Sequence, residues 1–264
     1  MDVVFVKVGG SFITHKDVPV KLNFQALQTL VKIIHRVRDR VKILLGNGGG
    51  SFAHYAVLKY RVEAPQVLLA KCHQATRSLN RIIVDYLVES GIPATAVQTS
   101  SIICTGKDGF EVFSKPVKLM LSSGVIPVVY GECILSEDGV HVVSTEKVFE
   151  LLSRYIRPSR IVLLTDVSGI YTCNPQVCRD AKLIEKITPE NIQFVLEVLK
   201  SAAISDVTGG VYSKVLSMST FSFRTGIEVI ITSGFDIESA VQAIMGLPPR
   251  HGTLISPKSQ SSFK

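Results

Sequence analysis

A lysine and two glycine-rich turns near the start of the chain could bind phosphate groups. The apolar run 3–8 contains Lys7 and leads into Gly9-Gly10-Ser11, and a second apolar run, 41–45, leads into the glycine-rich segment 46–51. Glycine lets backbone N–H groups approach an anion closely, and the positive end of a following helix adds to the attraction. His54 follows four residues after the last glycine of the second turn. Two such turns predict transfer of a phosphoryl group between two anionic molecules.

Neither turn has the spacing of the common nucleotide-binding motifs. A P-loop requires G-x-x-x-x-G-K-[ST], and this string does not occur in the sequence. The dinucleotide pattern G-x-G-x-x-G is absent as well, although Gly46, Gly48 and Gly49 come near it. The turns therefore indicate a phosphate-binding protein outside those two families.

The elements that must position these turns alternate between strand and helix patterns. Strand patterns occur at 3–8, 41–45, 94–98, 126–129, 161–164, 229–231 and 253–255, with helical spacing between most of them. This order predicts an α/β fold, a three-layer αβα sandwich with a mainly parallel central sheet and helices on both faces. Ligands bind at the carboxyl ends of the strands in such sheets, which is where the glycine turns lie. A change of pattern near Thr165 predicts two lobes of a single domain spanning 1–264.

Composition and charge exclude several classes of protein. The chain has 264 residues and 46% hydrophobic content, and no apolar run reaches the roughly 18 residues that a membrane-spanning helix needs. The first residues lead directly into a strand, so we expect neither a signal peptide nor a membrane anchor. The net charge of +7 comes from scattered Lys and Arg residues without an aromatic–basic ladder, which argues against nucleic-acid binding. An excess of basic residues also suits an enzyme whose substrates all carry phosphate, because positive charge attracts anionic substrates.

The cysteines predict neither a metal site nor a disulfide framework. There are five of them, and no His or Cys pair completes a zinc-ligand set around Cys173 and Cys178. We therefore expect reduced thiols in a cytoplasmic protein and no metal ligated by the chain.

Several motifs together resemble the amino acid kinase family. Residues 7–11, Lys-Val-Gly-Gly-Ser, are similar to its K-x-G-G-S opening, and 165–171 resembles its T-D-V-x-G-[IV]-Y nucleotide segment. Residues 49–54 are similar to the G-[AG]-G-S-F-G-H element of the isopentenyl phosphate kinase group. Residues 206–214 resemble that group's D-V-T-G-G-M-x-x-K, and 252–255 its terminal G-T-L-I. The matches occur in order over nearly the whole chain.

The resemblance implies the amino acid kinase fold, with an acceptor-binding lobe at about 1–160, a nucleotide-binding lobe at about 161–256 and a polar tail at 257–264. It implies ATP and Mg²⁺ as cofactors, a small phosphate monoester as substrate, and a homodimer. The catalytic residues it implies are Lys7, Lys16, Lys214, His54 and Glu146. The implied ATP-binding residues are Lys7, Gly9, Gly10, Ser11, Gly50, Asp166, Tyr171, Gly210 and Lys214, and the implied acceptor-binding residues are Gly49, His54 and Thr145. The helical stripe of Leu79, Ile82, Ile83 and Tyr86 is either a wall of the acceptor pocket or ordinary core.

The sequence departs from the family pattern at two places. The family usually has S-G-D where this chain has Ser144-Thr145-Glu146, so the carboxylate stands about one methylene further from the backbone. Ala53 stands where the family mostly has glycine. If Glu146 has taken over the role of the family aspartate, it should hold the catalytic lysines in position.

Three functions fit these residues. The first is ATP-dependent phosphorylation of isopentenyl phosphate to isopentenyl diphosphate, a step that forms isoprenoid precursors. The second is a fosfomycin-type or other phosphate or phosphonate kinase, whose D-A-T-G-A pattern differs from residues 206–210 of this chain, Asp-Val-Thr-Gly-Gly. The third is a non-catalytic nucleotide or oxyanion binder, which the Glu146 substitution favours and the retention of all three lysines disfavours.

Overall fold

The computed structural model describes residues 1–15, 18–106, 109–137, 139–175, 178–203 and 210–258. The chain divides into two compact units, Met1–Pro158 and Ser159–Lys264. The assignment of these units as acceptor-binding and nucleotide-binding lobes stays a prediction.

The first unit contains four strands of the main sheet, two hairpins and seven helices within its described residues. In chain order its elements are β1 (Val3–Val8), α1 (Gly10–Ile13), α2 (Phe24–Val37), β2 (Lys42–Asn47), α3 (Gly50–Tyr60), α4 (Pro65–Glu89), β3 (Ala94–Ala96), α5 (Thr99–Ile102), β4 (Ile103–Gly106), β5 (Gly109–Val112), α6 (Lys115–Ser122), β6 (Ile126–Tyr130), β7 (Glu132–Ser136), β8 (Gly139–Val143) and α7 (Thr145–Ser153).

The main strands of the first unit lie in the order β1-β2-β6-β3, and all are parallel. The residues of β1, β2 and β6 are almost entirely buried, as expected for parallel strands covered by helices. Lys7 lies opposite Gly46 and Val8 opposite Asn47 in the pairing of β1 with β2. The carboxyl ends of the two strands are therefore level, and the two glycine turns that follow them lie side by side.

The second unit is built in the same way around four strands. Its elements are β9 (Arg160–Thr165), β10 (Lys186–Ile187), α8 (Ile192–Ala203), α9 (Gly210–Thr225), β11 (Glu228–Ser233), α10 (Ile237–Met245) and β12 (Thr253–Ile255). Strand β11 pairs in parallel with β9 and antiparallel with β12, and β12 pairs in parallel with β10. The predicted α/β class with a mainly parallel sheet is confirmed.

The helices form where the sequence offers an apolar stripe and a capping residue. In α2, Leu27, Leu30 and Ile34 are buried, and the side chain of Asn23 caps the helix by accepting a hydrogen bond from Ala26 N at 3.3 Å. In α10, the Asp236 carboxylate accepts hydrogen bonds from Ser239 N at 3.1 Å and Ser239 Oγ at 2.7 Å. No helix in the described part of the chain is both long and apolar enough to cross a membrane.

The prediction of reduced thiols is wrong for four of the five cysteines. Cys72 of α4 is bonded to Cys133 of β7, and Cys173 is bonded to Cys178. Cys104 is free and exposed. The first pair is separated by 61 residues in the sequence and comes together only because α4 packs against β7, a contact that the cysteine spacing does not indicate.

Candidate active site

The two glycine turns of the first unit are in direct contact. A Cβ built on Gly10 would lie 2.7 Å from the Gly50 backbone, and one built on Gly48 would lie 2.9 Å from Gly10 N. Gly48 N also donates a hydrogen bond to Val8 O at 2.9 Å. Both turns therefore need glycine for their mutual approach, and together they present backbone at the carboxyl ends of β1 and β2.

Thr14 holds the start of α3 against the first turn. Its Oγ1 donates to Gly10 O at 2.8 Å and accepts from Ser51 N at 2.9 Å. Gly50 has a positive φ of 51°, and a Cβ there would lie 2.4 Å from Thr14 Oγ1. Among the described residues, Ser51 Oγ is one of two buried side-chain oxygens without a hydrogen-bond partner. A buried hydroxyl beside two glycine turns could donate a hydrogen bond to an anion bound there.

Lys7 and Glu146 form an ion pair beside these turns. Lys7 Nζ donates a hydrogen bond to Glu146 Oε1, and the two side chains are only 11% and 12% exposed. Lys7 reaches this position from the carboxyl end of β1, and Glu146 from the first turn of α7, which Ser144 caps by accepting from Lys147 N at 3.2 Å. Glu146, whose side chain is one methylene longer than the family aspartate, thus contacts Lys7, one of the predicted catalytic lysines.

Thr145, which stands where the family has glycine, is buried and bonded inside the protein. Its Oγ1 donates to Asn47 O at 2.7 Å and accepts from Gly131 N at 3.0 Å. Its methyl group closes the space above Gly46, where a Cβ would lie 2.7 Å from Thr145 Cγ2. These contacts fix the start of α7, and with it Glu146, to the end of β2. A direct contact between Thr145 and the acceptor stays a prediction.

His54 and Gly49 lie at the amino end of α3. His54 is exposed, and Gly49 is part of the turn that precedes the helix. A Cβ on Gly49 would lie 2.3 Å from the Cβ of Ala53. Because the methyl group of Ala53, which stands where the family has glycine, occupies this space, position 49 must be glycine. The roles of His54 and Gly49 toward an acceptor stay predictions.

The second unit holds the remaining predicted residues in two places. Asp166 and Tyr171 lie in the loop after β9, and Gly210 and Lys214 lie in the first turns of α9. Thr253 fixes that loop, because its Oγ1 donates to Ile184 O at 2.7 Å and accepts from Ile170 N at 2.8 Å. A Cβ on Gly169 would lie 2.6 Å from the same Thr253 oxygen, so the loop requires glycine there.

Two predictions fall outside the described residues. Lys16 is one of them, and 206–209 of the third glycine turn is the other. Their assignments stay predictions.

The described residues contain no group of three or more His, Cys, Asp or Glu side chains that could hold a metal ion. Mg²⁺ is usually bound by one or two carboxylates together with substrate phosphates and water, so a nucleotide would have to bring most of its ligands.

A polar face of α4 that was not predicted from the sequence contacts the end of β2, where the second glycine turn begins. Asn80 Nδ2 donates to Asn47 Oδ1 at 2.8 Å, and Arg77 Nε donates to the fully buried Glu132 at 2.9 Å. Burial, and secondarily the Glu132 carboxylate, raise the pKa of the Tyr130 phenol beside this pair. The only signal in the sequence was helical spacing of polar residues, which by itself is typical of a solvent-exposed face.

The apolar stripe of α4, predicted as either pocket wall or core, is only partly buried. Leu79 and Ile83 are buried, whereas Ile82 is 39% exposed.

The chain is similar to known proteins over most of its length. The amino acid kinase family model matches residues 2–233. An isopentenyl phosphate kinase of Methanothermobacter thermautotrophicus is 29% identical to the chain, with 97% of this chain and 99% of the relative covered. Another, from Methanocaldococcus jannaschii, is 28% identical over 226 residues, which cover 80% of this chain and 84% of the relative.

Solved structures share the fold. One described as an isopentenyl phosphate kinase superposes with a TM-score of 0.75 at 25% sequence identity, covering 96% of this chain and all of the other (100%). The amino acid kinase fold, with its mostly parallel sheet flanked by helices, is therefore confirmed.

Proposed function

The chain belongs to the amino acid kinase family, and on that premise we propose that it transfers the γ-phosphoryl group of ATP to isopentenyl phosphate, forming isopentenyl diphosphate and ADP. The observation that carries this proposal is the pair of contacting glycine turns with Lys7 held beside them by Glu146. The names of the relatives, isopentenyl phosphate kinase in both archaea, supply the acceptor.

The chemistry requires positioning and positive charge more than proton transfer. A phosphate oxygen of isopentenyl phosphate attacks the γ-phosphorus of ATP, a new P–O bond forms, and the bond to the ADP oxygen breaks. The attacking oxygen is already ionised near neutral pH, so no general base is needed. Two anions must approach each other, and cationic side chains offset their repulsion.

Lys7 supplies charge to the transferring phosphoryl group from the end of β1. Before ATP binds, Glu146 compensates the Lys7 charge and keeps its side chain in place. Lys214 and Lys16 add charge on the nucleotide side and toward the transition state, as the family resemblance implies. By the family resemblance we assign ATP binding to Asp166, Tyr171 and Gly210 in the second unit and, separately, to Gly9, Gly10 and Ser11 in the first.

The second glycine turn binds the phosphate of the acceptor. The backbone of Gly49 faces this anion, and His54 donates a hydrogen bond to it from the first turns of α3, while Gly50 is assigned to ATP. Ser51 supports this assignment, because its buried hydroxyl has no hydrogen-bond partner among the residues that the structure describes.

We propose that ATP is used together with Mg²⁺, which would offset negative charge on the phosphates. Because the described residues offer no group of three or more metal-ligating side chains, phosphate oxygens and water would supply most of its ligands. We also propose a cytoplasmic homodimer, which rests on the family resemblance.

A panel of acceptors tests the proposal. Purified protein is assayed with Mg²⁺-ATP and isopentenyl phosphate, dimethylallyl phosphate, geranyl phosphate, fosfomycin, N-acetylglutamate or UMP, and kcat/KM is compared. Isopentenyl phosphate should be among the best acceptors. A clear preference for fosfomycin would move the chain to the second candidate function, and no turnover of any acceptor would favour a binding protein.

A further inference from the structure

Helix α4 turns a polar face toward the protein interior. His73 Nε2 lies 2.7 Å from Cys133 O, Arg77 binds Glu132, and Asn80 binds Asn47, at sequence intervals that place all three on one side of the helix. Burying a polar group without a hydrogen-bond partner costs free energy of folding. A helix face of this kind is therefore stable only where it meets its hydrogen-bond partners. The partners belong to β2 and to the start of β7.

Asn80 contacts the residue from which the second glycine turn begins. Asn80 and Asn47 are 2% and 1% exposed, and Asn80 Nδ2 also lies 3.4 Å from Val128 O in β6. Asn47 is the last residue of β2, and its carbonyl oxygen accepts the hydrogen bond from Thr145 Oγ1. One residue, Asn47, is thus held from α4 through its side chain and from α7 through its backbone.

The attachment of α4 to the unit does not depend on Asn80. His73 and Arg77 already join the helix to β7, and buried Leu79 and Ile83 pack in the core. The bond from Asn80 therefore has a more specific effect, which is to fix the side chain of Asn47 directly before Gly48.

We propose that Asn80 is a positioning residue for the acceptor: acting through Asn47, it sets the position of the second glycine turn and thereby the affinity for the acceptor phosphate. The proposal rests on the proposed function, since it takes that turn as the acceptor site. Asn80 touches no substrate in this account. Its loss should alter acceptor binding and leave ATP binding unchanged.

The test compares Asn80→Leu with a matched control on the same helix. Leucine has the same branching and the same number of side-chain heavy atoms as asparagine, with bulkier methyl groups at its end, and removes both hydrogen bonds. The control is Thr76→Val, which removes an equally buried hydroxyl whose bonds go only to Cys72 O and His73 O of its own helix. Both variants are assayed well below their melting temperatures, with KM for isopentenyl phosphate, KM for ATP and kcat measured separately.

We expect Asn80→Leu to raise KM for isopentenyl phosphate several-fold, with about tenfold, the full free energy of one buried hydrogen bond, as the upper limit, and KM for ATP to stay unchanged within about twofold. Thr76→Val should lower the melting temperature without altering either KM. Equal changes in both KM values, or a loss of stability in Asn80→Leu with unchanged KM values, would overturn the proposal. If Asn80→Leu does not fold, Asn80→Ser is measured against the same criteria.

A double variant adds a second criterion. Thr145→Val removes the other bond to Asn47, so its effect on KM should be non-additive with that of Asn80→Leu, and strict additivity would contradict action through Asn47. Failure of the proposed function is distinguishable, because it would appear as absent turnover of isopentenyl phosphate by the unsubstituted protein. In that case the same comparison is made with the best acceptor of the panel.

Discussion

Replacing Glu146 with glutamine removes the charge that compensates Lys7 and leaves the size of the side chain nearly unchanged. The two side chains are 11% and 12% exposed, so the Lys7 ammonium group has little access to water. Glutamine can still accept its hydrogen bond but cannot offset its charge. The variant therefore separates the electrostatic role of Glu146 from its packing.

The expected loss of stability follows from this burial. Removing one member of a fully buried ion pair costs about 3–5 kcal/mol. Because this pair keeps some solvent contact and glutamine keeps an acceptor oxygen, we expect a decrease of about 1–2 kcal/mol in the free energy of unfolding. For a chain of this size, each kcal/mol corresponds to about 2–4 °C, so Tm should fall by about 2–8 °C.

The expected loss of activity is larger. Without Glu146 the Lys7 side chain is no longer held in one position, and misplacement of a charge in the transition state reduces kcat by about 10–10³-fold. KM for ATP should stay constant or decrease, because a negative charge near the nucleotide phosphates has been removed. The assay is steady-state kinetics with isopentenyl phosphate, with Tm from thermal unfolding without ligand.

Glu150→Gln is the matched control. Glu150 lies one turn further along α7 and pairs with Lys147 at 3.0 Å and Arg154 at 3.8 Å, pairs in which both cations are more than one-third exposed. Its substitution should change kcat less than twofold and stability by less than about 1 kcal/mol. Full activity of Glu146→Gln, or equal losses in both variants, would refute the view that Glu146 positions Lys7.

Four further predictions concern the other parts of the site and one helix cap. Lys7→Ala and Lys214→Ala should each lower kcat by about 10²-fold or more in steady-state assays, and near-normal kcat would remove that lysine from the mechanism. His54→Ala should raise KM for isopentenyl phosphate about tenfold with KM for ATP unchanged, and the reverse pattern would place the histidine on the nucleotide side. Gly50→Ala forces a side chain onto a φ of 51° and should lower the free energy of unfolding by about 2 kcal/mol or more in denaturant titrations, whereas unchanged stability would contradict the described turn. Burial alone would raise the pKa of Asp236, but hydrogen bonds from the start of α10 and a neighbouring histidine lower this pKa overall. The ionised carboxylate therefore stabilises the fold above its ordinary pKa of 3.8, and this stabilisation is lost as pH falls through the lower pKa of the folded state. Asp236→Asn should remove this part of the acid dependence of Tm, and an unaltered pH profile of Tm would contradict the prediction.

The sequence predicted the elements that end in the glycine turns because their signals are local. An apolar run that stops at Lys7 and two glycines needs no distant partner to be recognised, and the parallel pairing of β1 with β2 follows from the alternation of elements. The contact between Gly10 and Gly50 also follows, since level strand ends bring the turns together. The resemblance predicts that Glu146 holds Lys7 and Lys214; the structure shows an ion pair of Glu146 with Lys7, and the role of Glu146 toward the lysines stays a prediction.

The rest depends on contacts between residues far apart in the chain. Asn80 and Asn47 are separated by 33 residues, and no local sequence pattern indicates that these two side chains pair with each other. The antiparallel hairpin of β4 and β5 was not predicted, because its strands are four residues each and carry no continuous apolar pattern. Helix α8 begins only at Ile192, although Thr188-Pro189-Glu190 is a sequence typical of a helix start, since Asn191 Oδ1 accepts a hydrogen bond from Thr188 N in a preceding turn.

Phosphorus NMR of a single reaction tests the central claim most directly. Purified protein is mixed with Mg²⁺-ATP and isopentenyl phosphate, and the ³¹P spectrum is followed with time. The account predicts that the monoester resonance disappears while two coupled diphosphate doublets and an equal amount of ADP form. An unchanged monoester resonance, or ATP consumption that yields only inorganic phosphate, would contradict it.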